Sequence, residues 1–75
     1  MLKELDNIVL TRNLPDYSLE KGDIGVIVHK YNSTGYEVEF LLANGKTVCV
    51  VTLTNEEIRP VHSEEILHVR ALHSA

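Results

Sequence analysis

Gly22-Asp23-Ile24-Gly25-Val26-Ile27-Val28-His29-Lys30-Tyr31 is followed by Asn32-Ser33-Thr34-Gly35 and then by Tyr36-Glu37-Val38-Glu39-Phe40. An apolar β-forming run, a compact polar loop and a strictly alternating run make a β-hairpin. In the second run Tyr36, Val38 and Phe40 share one face and Glu37 and Glu39 the other, because successive side chains of a strand point to opposite sides. The first set reads as core and the glutamates as a solvated face. The first run, through Ile24, Val26, Ile27 and Val28, is apolar on both faces. Gly25 within it allows a bulge or sharp coil, which a small barrel needs in order to close. Such a hairpin is the natural centre of a small β-barrel.

Downstream, Asn44-Gly45 is a strong hairpin signal, since both central residues of a type I′ turn need positive φ. A fourth strand over residues 46–54 carries Val48, Cys49, Val50, Val51 and Leu53, again apolar on both faces. Asn55-Glu56-Glu57 reads as one helical turn capped by Asn55. Residues 58–61 make a short last strand, in which Pro60 fits only an edge or the strand end. Upstream, residues 6–11 are the first strand, ended by Pro15, which removes a donor and biases Leu14 to extended geometry. Residues 13–21 form the longest loop, from which Leu14, Tyr17 and Leu19 can cover one end of a barrel. The fold expected is mainly β: a five-stranded SH3-like barrel over residues 1–61, with an amphipathic C-terminal tail over 62–75. That tail reads as a short helix. Ser63 can cap it, Glu64 and Glu65 suit its positive end, and Arg70 and His73 suit its last turn. Ile66, Leu67, Val69 and Leu72 form its apolar stripe.

Seventy-five residues make one domain. A chain this short buries only about 60% of its unfolded surface, so the core is thin. The single Cys49 cannot form an intrachain bridge. One cysteine, and no secretory leader or bilayer-length apolar run, lead to the expectation of a cytoplasmic protein off the membrane. The formal net charge is −4. Nucleic-acid binders draw most of their affinity from a basic patch, and here the basic residues are spread one per segment.

Few residues offer chemistry. A zinc site wants closely spaced His, Cys or carboxylate ligands. His29 and His62 stand apart, and His68 and His73 would lie on opposite sides of a helix, so no metal is expected. Cys49 has no basic neighbour in sequence and reads as a small packed residue rather than a nucleophile. Glu37 and Glu39 could do acid–base work only in a cleft that raises one pKa; an exposed strand face is the simpler reading. Gly22-x-x-Gly25 is too short for a phosphate loop and opens a strand, not a helix. No catalytic residue, metal or cofactor follows. Tyr17 and Tyr31 sit at loop or strand-end positions, where SH3-like barrels bind extended peptides; Tyr36 reads as core.

The pattern Asp6-x-x-Val9-Leu10-Thr11-x-x-Leu14-Pro15, Leu19-x-x-Gly22-Asp23-x-Gly25-x-x-Val28, Tyr36-x-Val38-Glu39-Phe40, Gly45-x-Thr47-x-x-Val50-Val51-Thr52-Leu53 and Arg59-Pro60 resembles a family of small uncharacterised bacterial proteins, a domain of unknown function. The resemblance implies an SH3-like barrel found in mobile DNA such as gene cassettes and near toxin–antitoxin genes, and it carries over no catalytic residues. The tail after Val61 looks like an addition. Gly22-Asp23-Ile24-Gly25 is also similar to the KOW element of ribosomal and transcription proteins.

The function expected is therefore a non-enzymatic protein-interaction module, for which the resemblance implies a mobile-element or toxin–antitoxin accessory role. A nucleic-acid-binding barrel of the KOW or Sm-like kind is the alternative. The candidate interaction residues are Tyr17, Tyr31, Val48, Val50, Ile66, Leu67 and Leu72. Val48 and Val50 alternate with Cys49 and Val51, so one set must leave the interior. Together with a free apolar tail this predicts a homodimer.

Overall fold

The computed structural model describes residues 2–32 and 34–72. The strands are β1 (Asn7–Leu10), β2 (Ile24–Lys30), β3 (Gly35–Leu41), β4 (Thr47–Thr54) and β5 (Ile58–Pro60), with one 3₁₀ turn at Pro15–Tyr17. They form a single antiparallel sheet in the order β4-β3-β2-β1-β5. β4 and β5 are its two edges, so the sheet is not closed by hydrogen bonds. All five strands nonetheless contribute to one core, among them Ile8, Leu10, Ile27, Tyr36, Val38, Phe40, Val51, Leu53 and Ile58. A single sheet can share one core across all its strands only by curling over it. Ile8, Leu10, Ile27, Val38 and Leu53 are completely enclosed; burying each such side chain contributes about 1.5–3 kcal/mol.

Two bulges resolve the strands that read as apolar on both faces. Ile27 pairs with Val38 but His29 pairs with Glu37, which leaves Val28 as an extra residue on β2. Phe40 pairs with Cys49 but Leu41 pairs with Thr47, which leaves Val48 extra on β4. A bulge lets neighbouring residues break strict alternation. Val48 and Cys49 consequently both pack against the core, whereas Val50 and Thr52 face outward. The expected grouping of Val48 with Val50 on one exposed set is thus corrected.

Gly25 is not the bulge but a point of close approach. A Cβ there would stand 2.7 Å from Val38 Cγ1 and 2.8 Å from Phe40 Cε2, so the Phe40 ring lies against bare backbone.

The β3–β4 connection also departs from the type I′ expectation. Gly45 alone has positive φ, at 89°, and Asn44 does not. Gly45 N–H donates to Leu42 C=O, and Leu42 N–H to Lys46 C=O, both at 2.9 Å. This is a three-residue loop with the left-handed residue last. The helical turn expected at residues 55–57 is instead a reverse turn. Glu57 N–H donates to Thr54 C=O, and the Glu57 carboxylate accepts from the Thr54 N–H and hydroxyl. In the long loop Leu14 and Leu19 bridge each other and are buried, while Tyr17 is exposed.

The C-terminal helix does not form among the described residues. After one turn, in which Glu65 N–H donates to His62 C=O, residues 66–72 run as an arm without regular structure. Its anchors explain the difference. Residues five apart are about 7.5 Å apart along a helix but span up to about 17 Å when extended. Glu65 is held by Arg59 on β5 and Arg70 by Asp23 and the Ser18 carbonyl in the loop before β2, and a short helix without a packing surface has little to set against that. His73, the expected last-turn residue, lies outside the described residues.

Candidate functional site

The arm is fixed by two ion pairs. Arg59, on β5, donates from Nη1 to Glu65 Oε1 at 2.9 Å and from Nη2 to Oε2 at 2.7 Å. This is the bidentate fork that makes Arg–carboxylate pairs geometrically specific. His62 N–H also donates to Glu65 Oε1 at 2.7 Å. The Arg59 hydrogen bonds, helped by the His62 N–H, hold the Glu65 carboxyl at about 2. Further on, Arg70 donates from Nε to Asp23 Oδ1 at 2.8 Å and from Nη2 to Oδ2 at 2.6 Å. Its Nη2 also donates to the Ser18 carbonyl at 2.9 Å. Ser18 adopts a left-handed conformation with φ 59° at the end of the 3₁₀ turn. Glu20 adds a carboxylate oxygen at 3.7 Å from Arg70. Burial acts to raise the Asp23 carboxyl, but the Arg70 hydrogen bond and the Glu20 N–H outweigh it and hold the group below its usual range.

With the Glu65 and Arg70 side chains bonded to Arg59 and Asp23, the arm presents Ile66, Leu67 and Val69 to water. Ile66 is 92%, Leu67 65% and Val69 88% exposed. Only its end turns inward: Leu72 is half-buried and, with Leu19, Ile24, Phe40, Leu42 and Val48, lines a shallow groove of about 290 Å³ beside the β3–β4 loop. Of the candidates read from the sequence, Ile66 and Leu67 therefore stand on the open arm, and Val48 and Leu72 line one groove. Val50 is exposed on the outer face of β4.

The two tyrosines are not brought together. Tyr17 is exposed at the end of the sheet where β2 begins, and Tyr31 at the end where it stops. Tyr31 belongs to the outer face. Its hydroxyl donates to Glu37 Oε1 at 2.7 Å, and that bond, with some burial, raises its own pKa. Thr52 donates to the same oxygen at 3.2 Å, and Thr47 to Glu39 Oε2 at 2.6 Å. His29 meets the Tyr31 ring edge-on at 4.7 Å and lies 3.6 Å from a Glu4 oxygen. Glu37 and Glu39, expected to be fully solvated, are half-buried because these hydroxyls crowd them. They act as acceptors on an open face, not as an acid–base pair in a cleft. The Cys49 thiol is half-buried, and burial pushes its pKa up, away from the thiolate that a nucleophile needs. Among the described residues no cluster of three or more His, Cys, Asp or Glu is placed to hold a metal ion, and no helix is long and apolar enough to cross a membrane.

The cations are engaged or dispersed. Lys3 pairs with Asp6 at 2.9 Å, Arg12 with Glu57 at 3.5 Å, and Arg59 and Arg70 with the arm's partners. Lys30 ends β2 at the β2–β3 loop, while Lys46 lies in the β3–β4 loop at the other end of that hairpin.

Sequence reasoning missed Asp23, Arg59, Glu65 and Arg70 as a set. Asp23 and Arg70 are 47 positions apart, so no local spacing could signal the pair. The one available hint was that Glu65 and Arg70 are the arm's long charged residues flanking its apolar ones.

Residues 4–60 match a family described as "Domain of unknown function (DUF4926)". No curated protein and no solved structure matches the chain. Asp23 and Arg59 lie inside the matched span, and Glu65 and Arg70 lie beyond it. Since the match takes in the whole five-stranded sheet, the chain belongs to this DUF4926 family.

Proposed function

We propose that the protein is a non-enzymatic protein-interaction module whose contact surface is the clamped arm. The observation that carries this is the orientation of Ile66, Leu67 and Val69: three large apolar side chains of one short segment face water while ion pairs of Glu65 and Arg70 pin the segment at both ends. Scattered apolar residues are ordinary on a surface, but a contiguous group on a pinned segment suits a protein partner. The homodimer expected from the sequence through strand four and the tail also belongs to this proposal, with the exposed Val50 as its contact on β4 and the arm open to a further chain. So does the finer fold reading, an SH3-like barrel, which the strand order and the curled single core support. The bacterial, mobile-DNA setting rests on the sequence resemblance alone, and the cytoplasmic one on the single cysteine and the absence of a long apolar run. The nucleic-acid alternative is less favoured, because four of the seven cations already carry acidic partners and, of the other three, only Lys21 and Lys46 lie at one end of the sheet, with Lys30 at the other.

The test is co-purification from the native host with the full chain and with an Ile66→Asp/Leu67→Asp variant. A protein retained by the first and lost by the second supports the reading. Equal retention by both, or none by either, removes the arm as the contact surface.

A further inference from the structure

The two edges of the sheet are unlike. β5 is three residues long and ends at Pro60, which has no donor to offer a further strand. β4 is eight residues long, and its sequence Thr47-Val48-Cys49-Val50-Val51-Thr52-Leu53-Thr54 holds no charge, no proline and no glycine. Soluble proteins ordinarily blunt such an edge with a lysine, a proline or an inward charge, because its unpaired N–H and C=O groups are a template for another strand. Here the bulge falls at Val48, at one end, and leaves residues 49–54 regular. Val50, at 47% exposure, stands beside that edge.

The charges around β4 say which strand fits. Lys46 precedes it, and Glu56 and Glu57 follow it. Lys46 and Glu56 have no ion-pair partner among the described residues. Laid antiparallel against a second β4, each lysine end meets the other copy's glutamate end, once at each end of the contact. A two-fold axis normal to the sheet at Val51 keeps inner faces continuous, sets Val50 opposite Thr52 and Cys49 opposite Leu53, and brings Lys46 toward Glu56. A parallel arrangement would put like charges together.

We propose that two copies of this chain join edge to edge through antiparallel β4 strands, making one continuous sheet across the dimer. The inference rests on the homodimer proposed above and gives it a geometry in which the arm is not needed. The contact is narrow compared with the roughly 1,200–2,000 Å² of a standard stable interface, so the dimer dissociates on dilution.

Light scattering at high micromolar concentration, with circular dichroism as a check on folding, tests this. The full chain is expected to be dimeric, and a chain ending at Val61 equally so. Val50→Lys, which seats two lysines beside the axis, is expected to be a folded monomer. Lys46→Glu, on an exposed turn, weakens the dimer, and adding Glu56→Lys restores it. A dimer that survives Val50→Lys and Lys46→Glu but is lost on truncation overturns edge pairing and leaves the arm as the contact. A full chain that is monomeric under these conditions overturns the second copy as partner altogether.

Discussion

Within the sheet, residues 7–60, most large apolar side chains meet one another inside, with Val28, Leu41, Leu42 and Val50 among the exposed strand and loop exceptions. In the C-terminal segment, residues 61–72, the charged side chains of Glu65 and Arg70 make the anchoring contacts while Ile66, Leu67 and Val69 face water. The two regions differ in what is left after a polar group is paid its due of hydrogen bonds. Burial in the sheet is worth a few kcal/mol per large side chain. Partly exposed ion pairs such as those of the arm are worth about 0–1 kcal/mol each. The sheet therefore sets the stability of the molecule, and the arm sets only where its own apolar residues are displayed.

Phe40→Ala is the strongest challenge to that division. Phe40 lies against Gly25 and Val38 within the core, and deleting its ring should cost about 3–5 kcal/mol. For a domain of this size that removes most of the folding free energy. Thermal unfolding followed by circular dichroism checks it; a transition near that of the parent would mean the ring is not core.

Gly25→Ala asks the same question from the opposite direction. It adds one methyl where Val38 Cγ1 and Phe40 Cε2 stand inside 3 Å and the Glu39 carbonyl lies at 3.1 Å. Overpacking of this kind should cost about 1–3 kcal/mol. The check is the denaturant midpoint beside that of the parent, and an unchanged midpoint would show that the Phe40 ring can move aside freely.

Tyr36, Val38 and Phe40 alternate with charge, and that period alone placed them in the core. The hairpin meander, the proline at the last strand's end and the buried Leu14 and Leu19 were legible for similar local reasons. The bulges at Val28 and Val48 were not, since either valine suits either face and only pairing with β3 decides. The tail misled because its residues satisfy a helical stripe and a helix's charge preferences equally well. Those preferences are worth tenths of a kcal/mol, and Arg59 and Asp23, distant in sequence, supply competing partners. Val50, Ile66 and Leu67 were legible as exposed apolar residues; the clamp that displays the last two was not.

Arg70→Met keeps the length of the side chain and removes its charge. Asp23 retains the Glu20 N–H, so the β1–β2 turn should persist and global stability should change by no more than about 1 kcal/mol. The arm should nevertheless detach. Limited chymotrypsin digestion at Leu67 should accelerate while the thermal midpoint stays close to that of the parent. A large drop in midpoint together with faster cleavage would show that the arm is part of the folding unit and that the two regions are not separable.

Acid should release the arm by the smallest step. Glu65 is held at about 2 against an ordinary value of 4.5, and Asp23 is held below its ordinary 3.8. At pH above 4.5 both carboxyls are ionised whether the arm is clamped or free, and the clamps act in full. As pH falls below 4.5, a detached Glu65 takes up a proton while the clamped one does not, so protonation favours detachment increasingly down to about 2. Asp23 acts in the same direction below 3.8. Methyl NMR of Ile66, Leu67 and Val69 should therefore shift toward free-chain positions between pH 4.5 and 2, and added salt should move the change to higher pH by screening both pairs. Val51, inside the sheet, should not follow that profile. Arm methyls already at free-chain positions at neutral pH would show that the ion pairs do not hold the arm. A Val51 methyl that moves in step with Ile66 would show that acid opens the sheet and the arm together, and arm methyls unmoved down to pH 2 would show that apolar packing rather than charge holds the arm.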